Sequence, residues 1–143
     1  MSGTKRIVLD ANILLRGVFG IRVRDLLTSY VETVDFYTPE MCVEEALKYI
    51  PPIAQRKKLD ADASEANLRQ LLRSCLNIVD QSLYEKFEQH ARARIASRDV
   101  DDWPMVATAL LLNAPIWTED RDFFGSGIAT WTSSKIELYL RDG

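Results

Sequence analysis

Carboxylates are the residues of this sequence whose types and spacing could do chemistry. Asp10 closes the segment Lys5–Leu9 (KRIVL), and Glu44 and Glu45 stand side by side in an apolar-striped segment beginning at Pro39. Asp102 comes directly before Trp103-Pro104, and Asp120 follows the apolar run Ala114–Thr118 (APIWT). In an α/β sheet ligands collect outside the carboxyl ends of the strands, and these acids fall at such points. Acids gathered at one edge repel, raise one another's pKa and cost stability. A bound hard cation offsets that cost, and oxygen-only ligands select magnesium or manganese over zinc. No Cys/His ligand set competes, since the chain has one histidine and two cysteines, Cys42 and Cys75, without paired spacing. Such a cation lowers the pKa of a bound water and clamps phosphate oxygens during in-line displacement. Each acid also has an ordinary reading: Asp10 as a turn former or helix cap, a glutamate beside an apolar stripe as a solvated flank, Asp102 as a helix cap.

The elements that must position these acids follow from the apolar pattern. Lys5–Leu9 reads as a strand buried on both faces, Val34–Thr38 as a second, Leu76–Val79 as a third, Ala114–Thr118 as a fourth and Ile128–Trp131 as an edge strand. Gly17 and Gly20 mark a break, and Arg24–Glu32 has helical spacing. From Pro39 a helix presents Cys42, Val43, Ala46, Leu47 and Ile50 on one stripe, and Pro51-Pro52 stop it. Gln55–Lys58 (QRKK) is a basic cluster expected in a loop, and the helix after Ser64-Glu65 buries Leu68, Leu71, Leu72 and Cys75. Ser82 and Glu85 form a capping box for a helix burying Leu83, Phe87, Ala91 and Ile95, with Lys86, Arg92, Arg94 and Arg98 outward. His90 on that helix has no partner in the pattern and reads as a packing or surface residue. Pro104 places Asp102 at a helix start, Met105–Leu112 is almost wholly apolar, and Asn113 can end that helix in a left-handed cap. Thr132-Ser133-Ser134 can cap a last helix bearing Ile136, Leu138, Tyr139 and Leu140. Helices alternating with strands predict one α/β domain over residues 1–143, its sheet mainly parallel and flanked by helices on both faces.

Composition narrows the classes. A chain of 143 residues with 47% hydrophobic and 27% charged residues can bury one proper core. Net charge is −3, so a polyanionic partner must be met by local basic patches or by a cation on the acids. No apolar stretch approaches the ~20 residues of a membrane span, and no signal-peptide core precedes the first strand. The two cysteines are expected as buried, reduced packing residues in a cytoplasmic protein.

In order and spacing, the segments resemble PIN-domain ribonucleases, especially the VapC-type toxins of prokaryotic toxin–antitoxin pairs. IVLDANILL resembles the family's opening strand with its metal-site aspartate, Asp10, and Asn12 matches a polar residue two places on. CVEEALKYI resembles the family's acidic helix, with Glu45 in register and Glu44 as the alternative. DVDDWPMVATALLLNAPIWTEDRDFF is the most specific stretch: Asp102 stands seven residues before Ala109, Thr118-x-Asp120 follows, and Asp122 with Phe123 trails. The resemblance implies strand order 3-2-1-4-5 and a magnesium- or manganese-dependent endonuclease of single-stranded RNA. Asp10, Asp102 and Asp120 would ligate the metal, Glu45 would hold a second metal or place the attacking water, and Asn12, Thr118 and Asp122 would orient the ligands. It also implies a homodimer and an antitoxin protein as partner. Many such toxins are basic and this chain is acidic, so RNA would rest on Lys86, Arg92, Arg94 and Arg98, joined by Arg16 and Arg121. An RNA-maturation nuclease would use the same site, and a catalytically silent binding or scaffolding module would leave the acids idle. A flavodoxin-like phosphoacceptor would need a lysine near Thr118–Trp131, where none stands.

Overall fold

The computed structural model describes residues 5–95 and 99–141, without the Asp122 side chain. Its middle strand is β1 (Lys5–Leu9), paired with β2 (Val34–Pro39) on one side and β4 (Ile116–Trp117) on the other. β3 (Leu76–Val79) lies outside β2, and β5 (Thr130–Trp131) outside β4. The order is the expected 3-2-1-4-5, and all pairings are parallel. Ile7, Val8 and Leu9 are all fully buried. Neighbouring residues of a strand point to opposite faces, so the sheet is covered on both. Each such side chain contributes about 1.5–3 kcal/mol of burial.

Two helix groups provide the cover. α1 (Ala11–Phe19), α2 (Arg22–Tyr30), α3 (Glu40–Lys57) and α4 (Ala61–Cys75) pack against one another. α7 (Trp103–Leu112) lies against β1 and β2, with α5 (Gln81–Tyr84) and α6 (Glu88–Arg94) beside it, and α8 (Ile136–Arg141) packs on α2. As expected, Pro104 sits in the first turn of α7, and Asn113 closes it at φ 51°, its N–H bonding the Ala109 and Leu110 carbonyls. Trp103–Ala109 are buried throughout, which is why this helix has no polar face. No helix among the described residues is long and apolar enough to cross a membrane.

Four details depart from the sequence expectation. α3 runs through Pro51 and Pro52 to Lys57, so Gln55–Lys57 form its last turn and Lys58 its left-handed cap. Both prolines are exposed, while Ile50 and Ala54 are buried, so core packing continues on the face opposite the missing backbone bonds. Gly17 lies inside α1, and the break comes at Gly20. No capping box forms at Ser82, whose hydroxyl donates to Asp80 at 2.5 Å. A 3₁₀ turn at Glu85–Phe87 then changes the helical phase, so Tyr84 is buried and Leu83 is 51% exposed. Finally, Ser133 is buried and accepts the Trp117 indole N–H at 3.0 Å.

Proline in a helix interior costs up to ~3 kcal/mol relative to alanine. Pro52 is exposed, so Pro52→Ala should raise stability by about 1–2 kcal/mol once the looser unfolded chain is allowed for. Urea denaturation checks this, and a loss of stability would mean that the ring packs against a neighbour.

Candidate metal centre

The sheet register builds the site. Leu9 pairs with Trp117, so the next residues, Asp10 and Thr118, leave the sheet side by side. The Thr118 hydroxyl donates to Asp10 Oδ2 and accepts the backbone N–H of Asp120 at 2.9 Å. Asp10 Oδ1 accepts the Ile13 N–H at 3.0 Å, capping α1. The ordinary role of Asp10, a helix cap, is thus real, and it fixes the carboxylate at the carboxyl edge of β1. Asp10 is only 7% exposed. Burial pushes its pKa up to about 6, the Thr118 and Ile13 hydrogen bonds pull it down, and the charges of Asp120 and Glu45 add to the rise.

Asp102 ends a 3₁₀ turn, Val100–Asp102, that feeds α7. Its side chain makes no capping bond, and its Oδ2 is shut from solvent with no hydrogen-bond partner. The capping work of the acidic cluster falls to Asp99, whose carboxylate accepts the Asp101 N–H at 3.1 Å. Burial, then the charges of Asp99, Asp120, Asp10 and Glu45, push Asp102 up to about 7. A half-buried carboxylate with one oxygen shut from solvent favours a proton or a cation there.

The adjacent glutamates separate by the same measure. The charge of Glu45 reaches Asp10, Asp102 and Cys42, whereas that of Glu44 reaches Tyr84. Cys42 itself is a group the sequence reading left as core packing. It is buried one helical turn before Glu45, and burial followed by the charges of Asp10 and Glu45 pushes its thiol well up. Its i, i+3 spacing to Glu45 was the available signal. The acids gathered here offer oxygen donors, the set that suits magnesium or manganese. Among the described residues no three acid, His or Cys groups converge closely enough to hold a metal ion. Magnesium usually takes one or two carboxylates and keeps several waters, so an open arrangement suits it.

The supporting residues are placed as follows. Asn12 is exposed on the first turn of α1, and Thr118 is buried. Arg98 and the Asp122 side chain lie outside the described residues. Two residues of the expected basic face have partners of their own. Arg92 pairs with Glu88 at 2.7 Å and lies over the Trp103 ring, while Arg94 donates to the Ser126 carbonyl at 2.8 Å with its Nε buried. A Cβ on Gly127 would stand 2.3 Å from Arg94 Nη1, and Gly127 has φ +84°, so the turn after Asp120 is shaped around that guanidinium. Lys86 remains exposed. Trp103, set between the Arg92 guanidinium and the Tyr84 ring, steadies the α7 terminus next to Asp102.

A family model described as PIN domain matches residues 8–141. The chain belongs to the PIN domain family. Among solved structures it is similar to PAE2754 from Pyrobaculum aerophilum, with TM-score 0.74 and 16% identity over 100% of this chain and 95% of that one. It is similar to VapBC2 from Rickettsia felis bound to a DNA fragment from their promoter, with TM-score 0.68 and 14% identity over 89% and 98%. A toxin–antitoxin complex from Klebsiella pneumoniae gives TM-score 0.65 and 18% identity over 89% and 97%. These likenesses show a shared PIN fold. No curated protein matches the chain at a significant level.

Two predictions arise from this geometry. Asp10 and Asp102 have folded pKa values raised from 3.8 to about 6 and about 7. Between those limits the folded state binds more protons than the unfolded one, so their stabilisation is complete below the unfolded value and disappears as pH rises through the folded values. In EDTA, stability should fall from about pH 4 to above pH 7, and Asp102→Asn should flatten the upper part of that curve. Urea melts across pH check it, and a curve in Asp102→Asn identical to wild type would refute the assignment. Arg94→Ala should cost about 2 kcal/mol by removing a charged hydrogen bond from a packed turn. Its effect should appear in denaturation rather than in the salt dependence of RNA binding.

Proposed function

We propose that this PIN domain protein is a magnesium- or manganese-dependent endoribonuclease acting on single-stranded RNA, and that it is the toxin of a toxin–antitoxin pair. The single observation supporting the chemistry most directly is the buried, unpartnered Oδ2 of Asp102 in the field of Asp10, Asp120 and Glu45. A helix cap would have used that oxygen, and an idle scaffold gains nothing from leaving it desolvated. The toxin role is supported by two fold neighbours, VapBC2 from Rickettsia felis and a toxin–antitoxin complex from Klebsiella pneumoniae. An antitoxin protein as partner and a homodimer follow from the same reading, as does an RNA rather than DNA substrate.

Asp102, Asp120 and Asp10 would hold the cation, with Glu45 at the exposed rim. Bound there, a divalent ion supplies an activated water and neutralises charge on the phosphate undergoing displacement. The chain's own contribution is placement. The Thr118 hydroxyl locks one Asp10 oxygen, and its contact with the Asp120 N–H holds the following turn against β1. Trp103 and Pro104 fix the helix start that presents Asp102. Glu45, exposed on α3, would accept a proton from water at the rim. Asn12 and Asp122 would orient the ligands.

Asp120→Asn should leave a folded protein that cleaves single-stranded RNA slower by orders of magnitude in manganese. Glu45→Gln should cripple cleavage and Glu44→Gln should be mild, because only Glu45 shares the field of the aspartates. Manganese at ~100 times its dissociation constant should stabilise wild type by about 2.7 kcal/mol, and matched sodium chloride should not. Equal cleavage by wild type and Asp120→Asn, or identical melting in EDTA and manganese, would overturn the reading.

A further inference from the structure

A groove of about 500 Å³ is lined by none of the four acids themselves but by chain neighbours of two of them, Asn12 and Glu119. Asn12 is two places after Asp10, and Glu119 stands between Thr118 and Asp120. From there the groove follows one face of α1, past Leu15, Arg16 and Phe19. Those positions are three and four apart from Asn12 or from one another, the spacing of a single helical stripe. Arg22 of α2 lines it beside Ser133, and Ile53 and Lys57 of α3, one turn apart, form the opposite wall. Lys57 reaches this wall because α3 continues beyond Pro51-Pro52.

Charge is distributed unevenly along it. Arg16 and Lys57 are exposed, and neither side chain has a hydrogen bond or ion pair among the described residues. Arg22 has only a 3.4 Å contact with the Ser133 carbonyl and a 3.9 Å approach to Glu137, both easily exchanged at the surface. The acid at the mouth, Glu119, accepts the Ser133 N–H at 2.6 Å, and Arg16, Arg22 and Lys57 outnumber it along the lining. On a chain of net charge −3 this is a local reversal of sign. An apolar floor with an aromatic ring, Phe19, and cationic walls is the combination that receives single-stranded nucleic acid. There the bases lie on apolar and aromatic faces while the phosphates meet Arg and Lys.

We propose that this groove, and not the α6 face bearing Arg92 and Arg94, is the track along which single-stranded RNA enters the site. Phosphates of the strand meet Arg16, Lys57 and Arg22 in turn, a base rests on Phe19, and the scissile phosphate arrives between Asn12 and Glu119 at the aspartates. The assignment rests on the nuclease reading, which it deepens by naming the residues that hold substrate. It also accounts for an acidic protein binding a polyanion, because the attraction is confined to one channel that ends at a cation site.

The experiment compares wild type with Arg16→Gln/Lys57→Gln, using a labelled short polyuridine RNA. Binding is measured in calcium across salt concentrations, cleavage in manganese, and melting with and without manganese. Both side chains are exposed, so the double variant should fold normally. Each lost phosphate contact removes ~0.7 from the slope of log affinity against log salt, so the double variant should lose about 1.4. KM should rise with kcat kept, and the manganese-induced rise in melting temperature should stay at the wild-type value. An unchanged slope and KM in a double variant of a protein that does cleave RNA would overturn the track and leave the nuclease reading intact. Absence of a manganese shift and of cleavage in wild type would overturn both. If the double substitution spares RNA but abolishes binding of a glutamate-rich amphipathic peptide, the groove belongs to a protein partner and the proposal fails.

Discussion

Carboxylates crowded into a half-buried place are unfavourable, and everything around this site acts to hold them there. The decisive contact is the hydrogen bond from Thr118 to Asp10 across the β1–β4 pair. It stands where the two central strands leave the sheet, and it holds Asp10 close to Asp120 through one hydroxyl. Fully buried Ile7, Val8, Leu9, Ile116 and Trp117 anchor those strands on both sides of the bond. Repulsion among the acids is therefore resisted by the most deeply packed part of the molecule, so the acids cannot relax apart as they could on a surface loop.

The order of events along the chain explains how one edge collects residues so distant in sequence. Parallel strands all leave the sheet on the same edge, and each is followed there by a turn or a helix start. Asp10 and Asp120 follow β1 and β4, while Asp102 arrives from the opposite direction, at the N-terminus of the helix that returns toward β4. Glu45 reaches the same field from α3, the helix after β2. Four separate elements thus contribute to one site, and only the sheet topology joins them.

That topology was largely legible. Alternation of apolar runs with turn residues gave the five strands, and Pro104 and Asn113 marked both ends of α7 because their backbone preferences are strong and local. What could not be read was phase and partnership. Leu83 rather than Tyr84 was expected inside, because a 3₁₀ turn at Glu85–Phe87 changes the rotation per residue and leaves no sign in the apolar spacing. Arg92 and Arg94 seemed solvated because sequence shows charge and not contact, and their partners Trp103 and Ser126 lie far along the chain. Pro51-Pro52 suggested a stop because the rule concerns helices alone, whereas the buried Ile50 and Ala54 carry α3 through. At the site, the types of Asp10, Glu45, Asp102 and Asp120 were visible. The orphaned oxygen of Asp102 required coordinates, whereas Cys42 was signalled only by its i, i+3 spacing to Glu45.

The disposition of positive charge completes the argument. Neither Asp10 nor Asp102 forms an ion pair among the described residues, although the chain carries 18 lysines and arginines. A fixed arginine beside Asp102 would have satisfied its buried oxygen and lowered its pKa, leaving little reason for an external ion to bind. Instead the nearby arginines are turned to other tasks, Arg92 against Trp103 and Glu88, and Arg94 into the turn after Asp120. Among the described residues, these cations shape the surroundings of Asp10 and Asp102 without pairing with either. Burial thus raises both carboxyls above the ordinary range, and the repulsion among the acids is held in check by the packing of β1 and β4.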